Sequence, residues 1–247
     1  MRVDLPTPSS ALAIGAHPDD IEFECGATLA KWAAAGTVIH LLVSTDGSKG
    51  TWDVDADTAA LIARRQDEQR EAARRLGATG EVRFLGQIDG ELDMGADAGL
   101  DLRAQVALVI RELRPAVVLG HDPWRRWRLH PDHRAAGWVT LDAVVAARDP
   151  HYFKEQGLPH HRPEALLLFE CEEPDHVEAV TAVQVQAKVD SLLAHESQFE
   201  TTMVIDDDDD GSQAAAFARR VTTEARDHGR MAGVGMGEAF RLMDPAS

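Results

Sequence analysis

Short apolar runs alternate with stretches of helical period along the chain. Residues 11–16 read as a first buried strand, followed by a helix over about residues 26–35. A second strand over 38–43 ends at Ser44-Thr45-Asp46-Gly47. Residues 56–76, rich in Arg, Glu and Ala, carry a long helical pattern that Gly77 stops. A third strand spans 82–85. A helix over 100–113 is cut by Pro115 from a fourth strand at 116–119. A helix starts near Asp132 and runs to about residue 147. Strands follow at 165–169 and 177–180, and helices at 183–194 and 214–226.

Continuous apolar strands alternating with helices predict an α/β fold: a Rossmann-like, mostly parallel sheet with helices on both faces. Crossovers are expected to be right-handed. There is no internal repeat and no linker, so residues 1–247 read as a single domain. The acidic run Asp206–Asp210 lacks the spacing of a calcium loop and reads as a solvated loop.

Composition narrows the setting. A hydrophobic share of 44% supplies a full core. The formal charge of −17 argues against nucleic acid and anionic membranes as partners. Two cysteines, Cys25 and Cys171, are too few for a disulfide framework. The first residues lack a basic segment followed by a long apolar one, and no apolar run reaches membrane-spanning length. A cytoplasmic protein is expected.

Two clusters stand out against this background: His17-Pro18-Asp19-Asp20 after the first strand, and His130-Pro131-Asp132-His133 after the fourth. Either alone reads equally well as a helix-start signal, because Asp caps helices. In a doubly wound sheet, however, strands one and four flank the switch point, and ligands sit beyond the carboxyl ends of strands. The two clusters therefore meet. Imidazole and carboxylate are the expected ligands of Zn²⁺ where thiols are absent, and three protein ligands with an open position mark a catalytic site. Fe²⁺ also suits such a set. Neighbouring aspartates cannot easily both face one ion, so their roles should divide, one binding metal and the other acting as a general base. His130 and His133, three apart, allow one ligand and one group aimed at substrate.

The stretch from Ala16 to Glu22, followed by Gly26-Ala27-Thr28-Leu29-Ala30, resembles the PIG-L/LmbE-like family of zinc-dependent N-deacetylases, as does His130-Pro131-Asp132-His133-Arg134. Weaker matches are Thr45-Asp46-Gly47, Arg65-Gln66-Asp67-Glu68, Asp89-Gly90-Glu91-Leu92 and His195-Glu196-Ser197-Gln198. The resemblance implies that His17, Asp20 and His133 bind zinc. It implies that Asp19 is the general base and that His130, as imidazolium, stabilises the tetrahedral oxyanion. Arg65, Asp89 and His195 are candidate substrate contacts, although Arg65 could instead pair with Glu68 on its own helix.

The implied reaction is hydrolysis of an N-acyl amino sugar of the N-acetylglucosamine type, a small-molecule partner, with a homo-oligomer allowed. Many members carry Glu directly after the second Asp. Here Ile21 intervenes, a form closer to the deacetylases of bacillithiol-type pathways. Two alternatives stay open: an amidase acting on larger thiol-sugar conjugates, and a non-catalytic metal- or sugar-binding module.

Three further segments have two readings each. Trp124 and Trp127, within His121–Arg128, either wall the cleft or anchor their loop on the core. Arg125, Arg126, Arg128 and Arg134 form a positive rim or a solvated loop. Gly47–Thr51 lacks the full spacing of a phosphate loop and reads as a substrate-side loop.

Overall fold

The structure is a computed structural model that describes residues 1–92 and 102–246. In chain order the main elements are β1 (Arg2–Val3), β2 (Ser10–Gly15), α1 (Asp20–Ala34), β3 (Val38–Thr45), α2 (Thr58–Arg75), β4 (Val82–Gln87), α3 (Leu102–Leu113), β5 (Val117–His121), α4 (Pro131–Arg148), β6 (Ala165–Phe169), β7 (His176–Ala179), α5 (Ala182–Leu192), α6 (Ser212–Met231) and β8 (Gly237–Met243). The first two residues of the helix expected at 100–113 lie outside the described residues.

The strands form one eight-stranded sheet in the order β1-β7-β8-β6-β5-β2-β3-β4. Strands β2 to β6 run parallel, with Ala11 beside Val117 on one side and Ile39 on the other. The alternation of β2 divides the core. Leu12 and Ile14 pack with Val106 and Ile110 of α3 and Val139 of α4. Ala11 and Ala13 face Ile21, Leu29 and Trp32 of α1 and Ala73 of α2. Outside α1, a second apolar layer joins α5 and α6 through Val189, Leu192, Phe217 and Val221. Burial of both faces explains why these strands read as unbroken apolar runs. Among the described residues, no helix is long and apolar enough to cross a membrane.

Two features depart from the pattern-based expectation. Helix α1 begins at Asp20, six residues before the expected start, because its first turns carry Asp20 and Glu22 at buried positions that break the apolar period. Strand β8 inserts antiparallel between β6 and β7. Its sequence, Gly-Glu-Ala-Phe-Arg-Leu-Met, buries Glu238 as well as Phe240, so it carries no clean alternation. The Glu238 carboxylate accepts from the amides of Ala27 and Thr28 in α1 and from Lys188 of α5. Gly26 lets α5 approach there, since a Cβ would stand 3.2 Å from Lys188 Cγ.

Arg111, on α3, ties off the end of α4. Its guanidinium is buried and donates to the carbonyls of Ala146, Ala147, Asp149, Tyr152 and Phe153. Replacing it strands several buried acceptors, each costing about 1–3 kcal/mol. Arg111→Met is therefore expected to lower unfolding stability by about 3 kcal/mol, read by urea titration; a midpoint equal to wild type would refute this role.

Both cysteines are free. Burial pushes the Cys25 thiol well above its ordinary range and Cys171 up to about 12. A raised pKa means little thiolate at pH 8. Iodoacetamide at that pH should not label buried Cys25 until the chain is unfolded and should label half-buried Cys171 only slowly; labelling of Cys25 in the folded protein at the rate of a free thiol would contradict its buried placement.

Candidate active site

Five parallel strands end at one edge of the sheet, and their exits build the site. β2 leads into His17–Asp20, β3 into the loop carrying Lys49–Trp52, and β4 into Asp89. β5 ends at His121, β6 is followed by Glu170, and His130 caps α4. A cavity of about 450 Å³ opens there, lined among others by His17, Asp19, Asp20, Arg65, Asp89, His130, His133 and Glu170.

The two adjacent aspartates diverge because Asp19 is held at φ 99°, a conformation that L-residues rarely adopt. The turn is fixed from behind: the Asp19 amide donates to Gln69 Oε1 at 3.0 Å, and Gln69 Nε2 donates to Glu22 at 2.7 Å. Asp20 consequently enters the imidazole cluster. Its Oδ2 accepts from the His17 amide at 2.8 Å and lies 3.4 Å from His17 Nδ1 and 3.3 Å from His121 Nε2. Its Oδ1 lies 3.4 Å from His133 Nε2. Burial alone would raise the Asp20 pKa, but His133, His121 and His17 hold it well below the usual carboxylate range. Asp19 behaves oppositely. Burial pushes its carboxyl up to about 6 against the pull of Arg65, whose Nη2 is 3.7 Å from Oδ2. That oxygen is buried and has no hydrogen-bond partner.

Asp132 is fully buried, and its carboxylate accepts from the amides of Gly90 and Leu92 and meets His17 Nε2 at 3.0 Å. Asp89 Oδ1 is 3.2 Å from the same nitrogen. Burial opposes the charge on His17, but Asp132, Asp20 and Asp89 raise its pKa well above the ordinary range, with Nε2 facing Asp132 and Asp89 and Nδ1 facing Asp20. Among the described residues, three groups could hold a metal ion: His17, His130 and His133; Asp20, His121 and His133; and His17, Asp89, His130 and Asp132. No one of these contains the expected trio His17, Asp20 and His133, although Asp20 touches both of the other two.

Several expectations need correction. His195 is wholly buried beside Glu22, with Nε2 3.5 Å from Oε2, and does not line the cavity. Its neighbour Gln198 does, and donates to the Gly50 carbonyl at 3.0 Å. Arg65 lines the cavity but does not pair with Glu68. It donates instead to the carbonyls of Gly47 at 2.8 Å and Pro18 at 2.7 Å, while Arg64 takes Glu68. Trp124 packs edge-on against Trp138 at 5.1 Å, and Trp127 is 91% exposed. Neither lines the cleft; Trp52 and Phe23 do. Arg125 and Arg128 pair with Glu170, and Arg126 with Glu172, so these three do not form a free positive rim. His130 Nδ1 accepts the Asp132 amide, and burial, then His17 and His133, lower its pKa. The ring is thus a neutral Nε2–H donor here rather than an imidazolium. His121 and Glu170 join the site although no role was expected of either.

The chain belongs to the PIG-L family, whose model, described as GlcNAc-PI de-N-acetylase, matches residues 12–144. A diacetylchitobiose deacetylase of Thermococcus kodakarensis is 33% identical over 191 residues, covering 76% of this chain and 69% of that protein. A 1D-myo-inositol 2-acetamido-2-deoxy-alpha-D-glucopyranoside deacetylase of Streptomyces avermitilis is 34% identical over 177 residues, covering 63% and 59%, less than two thirds of that relative. Among solved structures, N,N'-diacetylchitobiose deacetylase of Pyrococcus horikoshii superposes with a TM-score of 0.83 at 28% identity, covering 97% of this chain and 85% of that one.

Arg65 sits under the 47–52 loop because Gly50 has no side chain. A Cβ at 50 would collide with the guanidinium and would lie 2.9 Å from Gln198 Oε1. Gly50→Ala should leave the sheet intact but displace Arg65 from Asp19. The expected outcome is at least a tenfold fall in turnover, about 1.4 kcal/mol in the barrier, with an unchanged far-UV spectrum. Wild-type turnover would detach this loop from the site.

Proposed function

We propose that this chain is a metal-dependent N-deacetylase, an amide hydrolase that removes the acetyl group from an N-acetylglucosamine-type substrate. The observation that carries this reading is the division of the paired aspartates. Asp20 is sunk among imidazoles, while Asp19 lines the cavity and keeps a buried carboxylate oxygen that accepts no hydrogen bond and lies 3.7 Å from Arg65.

The donor set fits a divalent cation. Asp132 occupies His17 Nε2, which leaves Nδ1 as the nitrogen that faces Asp20, at 3.4 Å. His133 Nε2 meets the other oxygen at the same distance. Such contacts repel unless a cation or proton lies between them. We assign His17, Asp20 and His133 as the ligands and zinc as the metal, with Fe²⁺ also suited to two imidazoles and a carboxylate. When bound, the ion supplies Lewis acidity toward the acyl carbonyl and acidifies water.

The chain's own groups do the rest. Asp19 takes the proton of the attacking water as its oxygen bonds to the acyl carbon. It returns that proton to the nitrogen as the C–N bond breaks, releasing acetate and a free amine. A carboxyl poised near 6 suits both directions. His130 donates its Nε2–H to the developing oxyanion, and Asp89 accepts from a sugar hydroxyl. Arg65 holds Asp19 and the two loops in register rather than gripping the sugar. The activities of the Thermococcus and Streptomyces relatives, both deacetylases of acetamido sugars, support the substrate class. A pure binding module would need no desolvated carboxylate left without a hydrogen-bond donor here.

Acetate release from N,N'-diacetylchitobiose, assayed with and without a chelator, tests the reading. Chelator-sensitive release is expected, and release indifferent to chelation would sink it. Asp19→Asn should retain metal and lose about 10²–10⁴ in turnover; full activity in that variant would remove Asp19 from the reaction.

A further inference from the structure

Trp52 lines the cavity, yet no step of the reaction uses it. The chain has five tryptophans. Trp32 is buried, Trp124 packs edge-on against Trp138, and Trp127 stands away from the cleft. Trp52 alone among them combines an exposed indole with a place on the cavity wall. Among the described residues, that indole has no hydrogen bond, no ring contact and no cation over its face. Phe23, the other aromatic of the lining, is already engaged edge-on with Phe217 at 6.0 Å.

The loop that carries Trp52 is pinned to the reacting groups just before it. Arg65 donates to the Gly47 carbonyl, the Lys49 amide donates to Asp89 Oδ2 at 3.1 Å, and Gln198 donates to the Gly50 carbonyl. A Cβ at position 50 would meet Arg65, whose Nη2 is 3.7 Å from Asp19. Two residues of chain span at most about 7 Å. Trp52 therefore stands one short step outward from the reacting groups, on backbone that is anchored to them. An indole left in water at the rim of a polar cavity gains free energy when an apolar surface covers it. A pyranose supplies such a surface. Its axial C–H bonds form an apolar face with a weakly positive edge that suits the negative face of the indole, while its hydroxyls stay in water.

We propose that Trp52 is a specificity-determining residue whose indole is the platform for a second sugar ring, the one joined to the reacting N-acetyl amino sugar. The inference rests on the deacetylase reading above and narrows it: the substrate is a disaccharide or longer, gripped through its second ring. The reacting ring is left to the buried groups, Asp19 and Asp89 among them, and the second ring to an exposed aromatic face.

The test has two arms. In the first, kcat/KM for acetate release is measured on N,N'-diacetylchitobiose and on N-acetylglucosamine, and the ratio of the two is compared between wild type and variants. Trp52→Ala is expected to lower that ratio about tenfold, through KM more than through kcat. Trp52→Phe, which keeps an aromatic face, should lose less. An unchanged ratio in W52A, even with slower turnover on both sugars, overturns the proposal. The second arm reads binding without turnover, by titrating N,N'-diacetylchitobiose into the Asp19→Asn chain and following tryptophan fluorescence alongside calorimetry. A change in emission on binding is expected, and it should vanish when Trp52→Phe is added although calorimetry still registers the sugar. The same emission change in D19N/W52F, or none in D19N, overturns the proposal. If the wild-type chain releases acetate from neither sugar, the deacetylase reading fails while the binding arm still judges Trp52.

Discussion

The buried carboxylate of Asp20 is the group to which the rest of the site is fitted. A charge removed from water is costly unless hydrogen bonds and opposite charges surround it. Asp20 has the first from the His17 amide and the second from three imidazoles delivered by two other stretches of chain and its own. It also opens α1, where the helix dipole favours an anion. Satisfying Asp20 in this place forces Asp19 to φ 99°, and the strained turn persists because Gln69 and Glu22 grip it from the core side. The division of labour between the two aspartates is therefore a backbone consequence before it is a chemical one.

The supporting shell shows how a sheet of this order makes such a cluster affordable in a closed core. Each imidazole facing Asp20 is backed on its other nitrogen by a carboxylate: His17 by Asp132 and Asp89, His121 and His133 by Glu170. Those carboxylates are in turn held by backbone amides of Gly90 and Leu92 or by Arg125 and Arg128. Charges alternate outward from the centre, so no layer leaves an uncompensated ion. The same alternation ties β2, β4, β5 and β6 together at their carboxyl ends, where the parallel sheet places its crossover loops.

The parts of this arrangement legible in the sequence are those whose partners are close along the chain. His17, Asp19 and Asp20 are contiguous, and His130 and His133 share one helical turn, so their meeting needed only the rule that strands one and four of a doubly wound sheet are neighbours, as β2 and β5 are. Glu170 was hidden because it is one acidic residue in a stretch with Glu172 and Glu173, and nothing local separates the buried one from the exposed ones. Asp132 read as a helix cap, because its partners at Gly90, Leu92 and His17 lie far away in sequence. The His-x-Ser-Gln element misled for a similar reason. Ser197 is clamped by Glu68 of α2, which turns His195 into the core and leaves Gln198 at the cavity. Antiparallel β8 follows no crossover rule at all, and its buried Glu238 removes the periodic signal that would have revealed it.

The site separates the reacting floor from the walls. Asp19, Asp20, His17, His133 and Glu170 stand on strand exits or helix starts, positions that the packed sheet holds rigidly. The remaining lining comes largely from connections: Lys49 to Trp52 after β3, and Thr201 and Thr202 after the Gln198 turn. Trp52, 73% exposed at the mouth, has few contacts to constrain it. Floor and wall meet at only a few points, chiefly Arg65 bound to the Gly47 carbonyl and Gln198 bound to that of Gly50. A change in the walls can therefore alter which sugar conjugate is held without disturbing the charges beneath, provided those links survive. This is the physical sense in which one fold carries several substrates, with function residing in the site and specificity in the loops around it.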